Sequence, residues 1–178
     1  MSSAWKGADN SRKRKARALP TGSGYCVPLP CDLLASPAWA ALSRQGVRLL
    51  TALMIEHAEH GGEENGSLKA PYDTLKGVLR RETIKDVIHE AKALGLIDVD
   101  FGKRAHGSRR LPSTYRLTWL GTPDGLMATN EWKAIKTEED ARQKIATAKA
   151  KLEHERAVKR ATRADRAARG NNSQARAA

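Results

Sequence analysis

Cysteine is scarce in this 178-residue chain, which holds only Cys26 and Cys31. Their spacing fits neither a CxxC redox pair nor half of a common zinc site, and no further cysteine completes either. Both read as small buried thiols, kept reduced in a cytosolic compartment. Aromatic residues make up 4%. Trp39, Tyr115 and Trp119 fall within helix and strand patterns, where core packing is a commoner use than stacking on unpaired bases. No apolar run approaches the ~20 residues that cross a bilayer, and residues 1–20 lack the apolar segment of a secretory signal. The expected location is therefore cytoplasmic and nucleoid-associated, with no membrane partner.

Motifs for chemistry are missing too. There is no GxxxxGK[ST] phosphate cradle, and no local pattern suggests a Ser/His/Asp set. His89-Glu90 opens like an HExxH zinc helix, but the fifth position is Ala93 and the second ligand is absent. His57 and His60 lie among Glu56, Glu59, Glu63 and Glu64, a grouping that reads as an exposed helix end rather than a metal site. The expectation is a non-enzyme with no catalytic residue, metal, cofactor or small-molecule ligand.

Positive charge is what the chain has in excess. Lysine and arginine number 32 against 20 acidic residues, giving a net charge of +12 and an isoelectric point near 10.0. Such a balance attracts polyanions at long range and favours nucleic acid as partner. The charged and small residues crowd both ends, so the foldable part is close to ~100 residues, enough for one modest core.

Residues 1–24 carry too little apolar content to offset the entropy of ordering them, and read as a disordered basic arm. Its cluster Arg12, Lys13, Arg14, Lys15 and Arg17 suits DNA contact or a localisation signal equally. From Tyr25 the character changes. Val27-Pro28-Leu29-Pro30 is extended because each proline restricts the residue before it, and a short turn runs up to Ser36-Pro37. Ser43 caps a helix to about His60, with Val47, Leu50, Met54 and His57 on one stripe, widened by Leu49 and Leu53. Gly61-Gly62 ends it, Asn65-Gly66 turns, and Ser67–Ala70 suits an edge strand. Pro71 opens a second helix, Tyr72 to about Val78. Arg81–Leu94 then places Ile84, Val87, Ile88, Ala91 and Leu94 on one face, and Gly95 closes it. Leu96–Phe101 and Thr114–Trp119 alternate as two strands around a basic loop.

Helix, short strand, helix, helix, strand, loop, strand is the order of a winged helix-turn-helix domain, here over residues 25–120. The expected class is mainly α with a small β-hairpin (α+β), extended by a long C-terminal helix. In such a domain the second helix of the pair reads the major groove with its outward N-terminal residues. Arg80, Arg81 and Lys85 are the candidates for phosphate or guanine, and Thr83 and His89 for base edges. At the hairpin tip, Lys103, Arg104, His106, Arg109 and Arg110 concentrate charge on a flexible loop that suits a minor groove.

The segments Val27-Pro28-Leu29-Pro30, Ser36-Pro37-Ala38-Trp39 with Ala41-Leu42-Ser43, Glu64-Asn65-Gly66 with Leu68, Leu94-Gly95-Leu96-Ile97, and Tyr115-Arg116-Leu117-Thr118-Trp119 together carry a resemblance. Over about residues 26–120 the chain resembles winged helix proteins of alphaproteobacterial plasmids, phages and integrative elements, often described as replication-protein-like or helix-turn-helix proteins. The resemblance implies DNA binding linked to a mobile element, as regulator or replication accessory, and brings no catalytic motif with it.

Residues 121–136 form a linker in which Thr129-Asn130 caps a short turn that packs Trp132 and Ile135 back on the domain. Thr137 followed by Glu138, Glu139 and Asp140 starts a basic helix over 137–170, with a disordered tail at 171–178. Ala141, Ile145, Ala148 and Leu152 follow coiled-coil spacing, but Glu155 and Lys159 break the seam, so only a weak homodimer is expected. The basic residues beyond Arg156 suit a mobile helix adding phosphate contacts, or a solvated tail. The leading expectation is a sequence-specific double-stranded DNA-binding transcriptional regulator. The alternatives are a replication or partition accessory on origin DNA, working with other proteins, and an RNA-binding or architectural protein.

Overall fold

Residues 26–70, 75–102 and 111–175 are described by a computed structural model, with 167–175 as helical backbone alone. The fold is mixed α and β: among the described residues, five helices and a three-stranded antiparallel sheet. The arm cluster Arg12–Arg17, the start of the second helix at 71–74 and the hairpin tip at 103–110 lie outside them.

Helix α1 (Cys31–Leu34) and helix α2 (Pro37–Ala40) are single turns. They are joined by Ser36, whose hydroxyl donates to the Leu33 carbonyl at 2.6 Å and accepts from the Trp39 amide at 3.2 Å. Both cysteines are exposed, contrary to the expected burial. Cys26 precedes the first helix, and the single turn of α1 has one inward position, which Leu33 takes.

Ser43 caps helix α3 (Arg44–Glu59), its hydroxyl accepting from the Gly46 amide at 3.1 Å. The buried stripe runs through Gly46, Leu49, Leu50, Leu53 and His57. Val47 is 37% exposed, so the expected stripe is displaced by one residue and Val47 lies on its shoulder. Space at position 46 is tight, and any larger residue would require Leu42 to move. A Cβ there would overlap the Leu42 side chain and lie 3.4 Å from a Glu90 carboxylate oxygen.

Strand β1 (Leu68–Lys69), strand β2 (Ile97–Asp100) and strand β3 (Thr114–Leu117) pair in the order β1-β3-β2. The registers Leu68 with Tyr115 and Val99 with Tyr115 lay three apolar side chains across one face, and Ile97 opposite Leu117 adds the next row. On the other face Asp98 lies opposite Arg116 and pairs with it at 3.5 Å. Asn65, 2% exposed, holds the turn before β1 against the end of β3. Its amide nitrogen donates to the carbonyls of Leu117, Leu120 and Gly121, and its oxygen accepts from the Leu117 amide at 2.7 Å.

Residues 75 and 76 are helical and 77 and 78 form a turn, which is the described part of the expected second helix. Helix α4 (Ile84–Ala93) buries Ile84, Val87, Ile88 and Ala91, as its spacing predicts. It starts three residues later than the periodicity suggests, because 81–83 form turns and the Thr83 hydroxyl donates back to the Arg80 carbonyl instead of capping. Gly95 ends it at φ +66°, a left-handed backbone that costs glycine least. A side chain there would also strike the backbone of Glu131 and Trp132. Those two residues begin a 3-10 helix (Glu131–Ala134) that buries Trp132, although Asn130 supplies no side-chain cap.

Thr137 accepts from the Asp140 amide at 3.1 Å, and helix α5 (Glu138–Ala175) follows. It passes through Gly170 and five residues beyond the expected end. The core collects Leu33, the α3 stripe, the inner faces of α4 and the sheet, Trp119, Trp132 and Ala141.

Candidate nucleic-acid interface

The N-terminus of α3 meets the second half of α4, and the meeting is fixed by a shared cap. The Ser43 amide at the N-terminus of α3 donates to Glu90 of α4 at 2.6 Å. In a capping box that carboxylate sits three residues after the cap, within the same helix. Here that position is Gly46, and α4 supplies the acid instead. The bond sets the angle of α4 against α3.

At the start of α4 lies an open groove of about 470 Å³, lined by Gln45 and Arg48 of α3, by Lys76 of the short helical segment before it, and by Arg80, Arg81 and Glu82 just ahead of α4. Among the described residues the lining holds four cations and one carboxylate. Arg80 and Arg81 are exposed and, like Arg48, make no ion pair among the described residues. The three arginines, held together without ion-pair partners among the described residues, repel one another, and an anion placed between them relieves that repulsion. The Gln45 side-chain oxygen is buried here without a hydrogen-bond partner.

The remaining candidates on α4 have different surroundings. Lys85 pairs with Glu155 of α5 at 3.8 Å, and the neighbouring Asp86 pairs with Arg156 at 2.8 Å. His89 is half-buried and stacks on Phe101 with centroids 5.4 Å apart. Burial lowers its pKa, and Lys85 and Lys92 lower it further against the opposing pull of Glu155 and Asp86. Thr83 is occupied with the Arg80 carbonyl. The structure thus brings Arg80 and Arg81 together with Arg48 and Lys76, and separates them from Lys85 and His89 under α5. The tip residues Lys103, Arg104, His106, Arg109 and Arg110 lie outside the described residues.

Arg48 and Lys76 escaped the sequence reading. Arg48 follows Arg44 by one helical turn on the exposed side of α3, a hint available in the sequence, but nothing local ties it to Arg80. Tyr115 and Trp119 are buried, and the Trp119 indole donates to the Pro28 carbonyl at 3.1 Å, so these rings serve the core. Arg116 is spent internally on Asp98, Glu131 and Thr129. Glu56, His60 and Glu64 bring their ligand atoms within 4.8 Å of one another on the exposed end of α3. The His60 ring nitrogen is already bonded to the Glu56 carbonyl at 2.9 Å, which raises its pKa together with the surrounding acids.

Among the described residues no helix is long and apolar enough to cross a membrane. Comparisons with protein-family models, with curated proteins and with solved structures found no match.

Proposed function

We propose that this chain binds double-stranded DNA through a winged helix-turn-helix domain over about residues 25–120 and acts as a sequence-reading regulator, without chemistry of its own. The observation that carries the reading is the four-cation groove at the mouth of α4. In a helix-turn-helix domain, cations ahead of the reading helix would meet the phosphates flanking a major groove. The sheet order supports the same architecture. Strand β1 lies on one edge, β3 in the centre and β2 on the other edge, so β2 and β3 are the strands that a wing would use.

In this reading Arg48, Lys76, Arg80 and Arg81 hold the backbone and fix register, while α4 selects bases. The basic arm and the distal part of α5 add affinity without selectivity, by displacing counterions from the duplex. The test is selection of bound duplexes from a random pool near ~150 mM salt, where weak unspecific binding is suppressed. One enriched motif, relaxed by Arg81→Ala, is the expected result. Tight binding without enrichment, or preference for structured RNA, overturns the sequence-reading role in favour of an architectural or RNA-directed one.

A further inference from the structure

The side of α4 that faces away from the core is already occupied by the chain itself. Helix α5 lies along it, and its apolar positions Ala141, Ile145, Ala148 and Leu152 turn toward the domain as a single seam. Ala141 belongs to the main core and Ile145 packs against it, whereas Leu152 is 1% exposed yet outside that cluster. One turn further on, Glu155 and Arg156 reach Lys85 and Asp86 of α4. Beyond that point α5 leaves the domain, with Lys159 and Arg160 side chains 74% and 72% exposed.

We propose that the segment of α5 around Leu152–Arg156 is an intramolecular cover for the reading face of α4, released when α4 enters a major groove. The proposal rests on the DNA reading above and names the regulation of that same site. The geometry makes it a release rather than a rearrangement of the core. The helix is anchored at Ala141 and Ile145, so release of its later turns requires bending or unwinding of α5 beyond Ile145 and leaves the anchor in place. What holds those turns is one buried leucine and two partly exposed ion pairs, which are individually weak and screened by salt. A duplex supplies a phosphate for Lys85 in place of Glu155, and frees Arg156 for the backbone. The groove at the mouth of α4 stays open in the covered state, so unspecific phosphate binding precedes release and sequence reading follows it.

Covering lowers the apparent affinity for a specific site by the fraction of molecules that are open. Leu152→Asp tests this in the full-length chain, because it breaks the seam while adding a negative charge that by itself weakens DNA binding. The probes are a duplex enriched by selection from a random pool and a scrambled duplex of equal length. For Leu152→Asp the cover predicts binding to the enriched duplex about fivefold tighter or more, and to the scrambled duplex within about twofold of the unmodified chain. Equal or weaker binding to the enriched duplex overturns the cover and leaves the DNA reading intact. Binding of neither duplex by either protein overturns the DNA reading, and the cover with it. If Leu152→Asp does not fold, Glu155→Ala and Glu139→Ala serve, since each removes one carboxylate of α5, only Glu155 pairs with α4, and Glu139 makes no ion pair among the described residues. Selective tightening by Glu155→Ala supports the cover, and equal effects of the two overturn it.

Discussion

Glu90→Ala should damage the domain more than its place near the surface of α4 suggests. Glu90 is 6% exposed, and its carboxylate accepts from the Ser43 amide at the start of α3. No acidic residue lies in the first turn of α3, so nothing local takes over its role. A buried hydrogen bond to a charged group contributes ~1.5–3 kcal/mol. A negative charge at a helix N-terminus adds ~0.3–1 kcal/mol. Alanine should therefore cost about 2–4 kcal/mol, a large part of the stability of a domain this size. Glutamine keeps an acceptor and loses the charge, so Glu90→Gln should cost about 1–2 kcal/mol. Urea unfolding followed by tryptophan emission reads this as a fall in midpoint of about 1–2 M for alanine. An alanine variant within about 0.5 kcal/mol of the parent would refute the shared cap, since that is the range of substitutions that touch nothing important.

Asn65→Ala should cost about 2–3 kcal/mol in the same assay, because the buried Leu117 amide loses its acceptor. Asn65→Asp should be worse near neutral pH, where a carboxylate would face three carbonyl oxygens, and should recover partly on acidification. His57 and His89 both have pKa values lowered by burial, so their neutral forms favour the fold. Their contribution is present above the ordinary value of 6.5 and is lost as pH falls through their lowered folded values. Unfolding midpoints should thus decline below that pH, and His89→Gln should flatten part of the decline. His60, with a raised pKa, acts with opposite sign. Cys26 and Cys31 should both react with a thiol reagent in the native protein at the rate of free thiols, and protection of either would contradict their exposure.

Local signals were legible in the sequence and long-range ones were not. Ser43, Gly95 and Thr137 mark helix ends by their own chemistry, and each does so in the structure. The alternation of β2 and β3 follows from one buried face, so their inward residues could be read directly. Asn65 looked like a turn residue, yet its side chain acts on Leu117, 52 positions away. Glu90 entered the sequence reading only through the failed HExxH match, because its partner Ser43 is 47 positions away. The seam Ala141-Ile145-Ala148-Leu152 was visible as a stripe, but a stripe does not name its partner. Spacing suits a second helix from another chain as well as α4 of the same one. That ambiguity is why Lys85 and His89 looked outward in sequence and lie under α5 in the fold.

The most direct test of the central claim is the salt dependence of duplex binding by the full-length chain and by the combined variant Arg48→Ala, Arg80→Ala, Arg81→Ala. All three residues are exposed, so the fold should survive their loss. Each phosphate neutralised contributes ~0.9 to the slope of log affinity against log salt, so the variant should lose about 2–3 from that slope and bind more weakly at every salt concentration. An unchanged slope and affinity would mean that the groove at the mouth of α4 does not hold the DNA backbone.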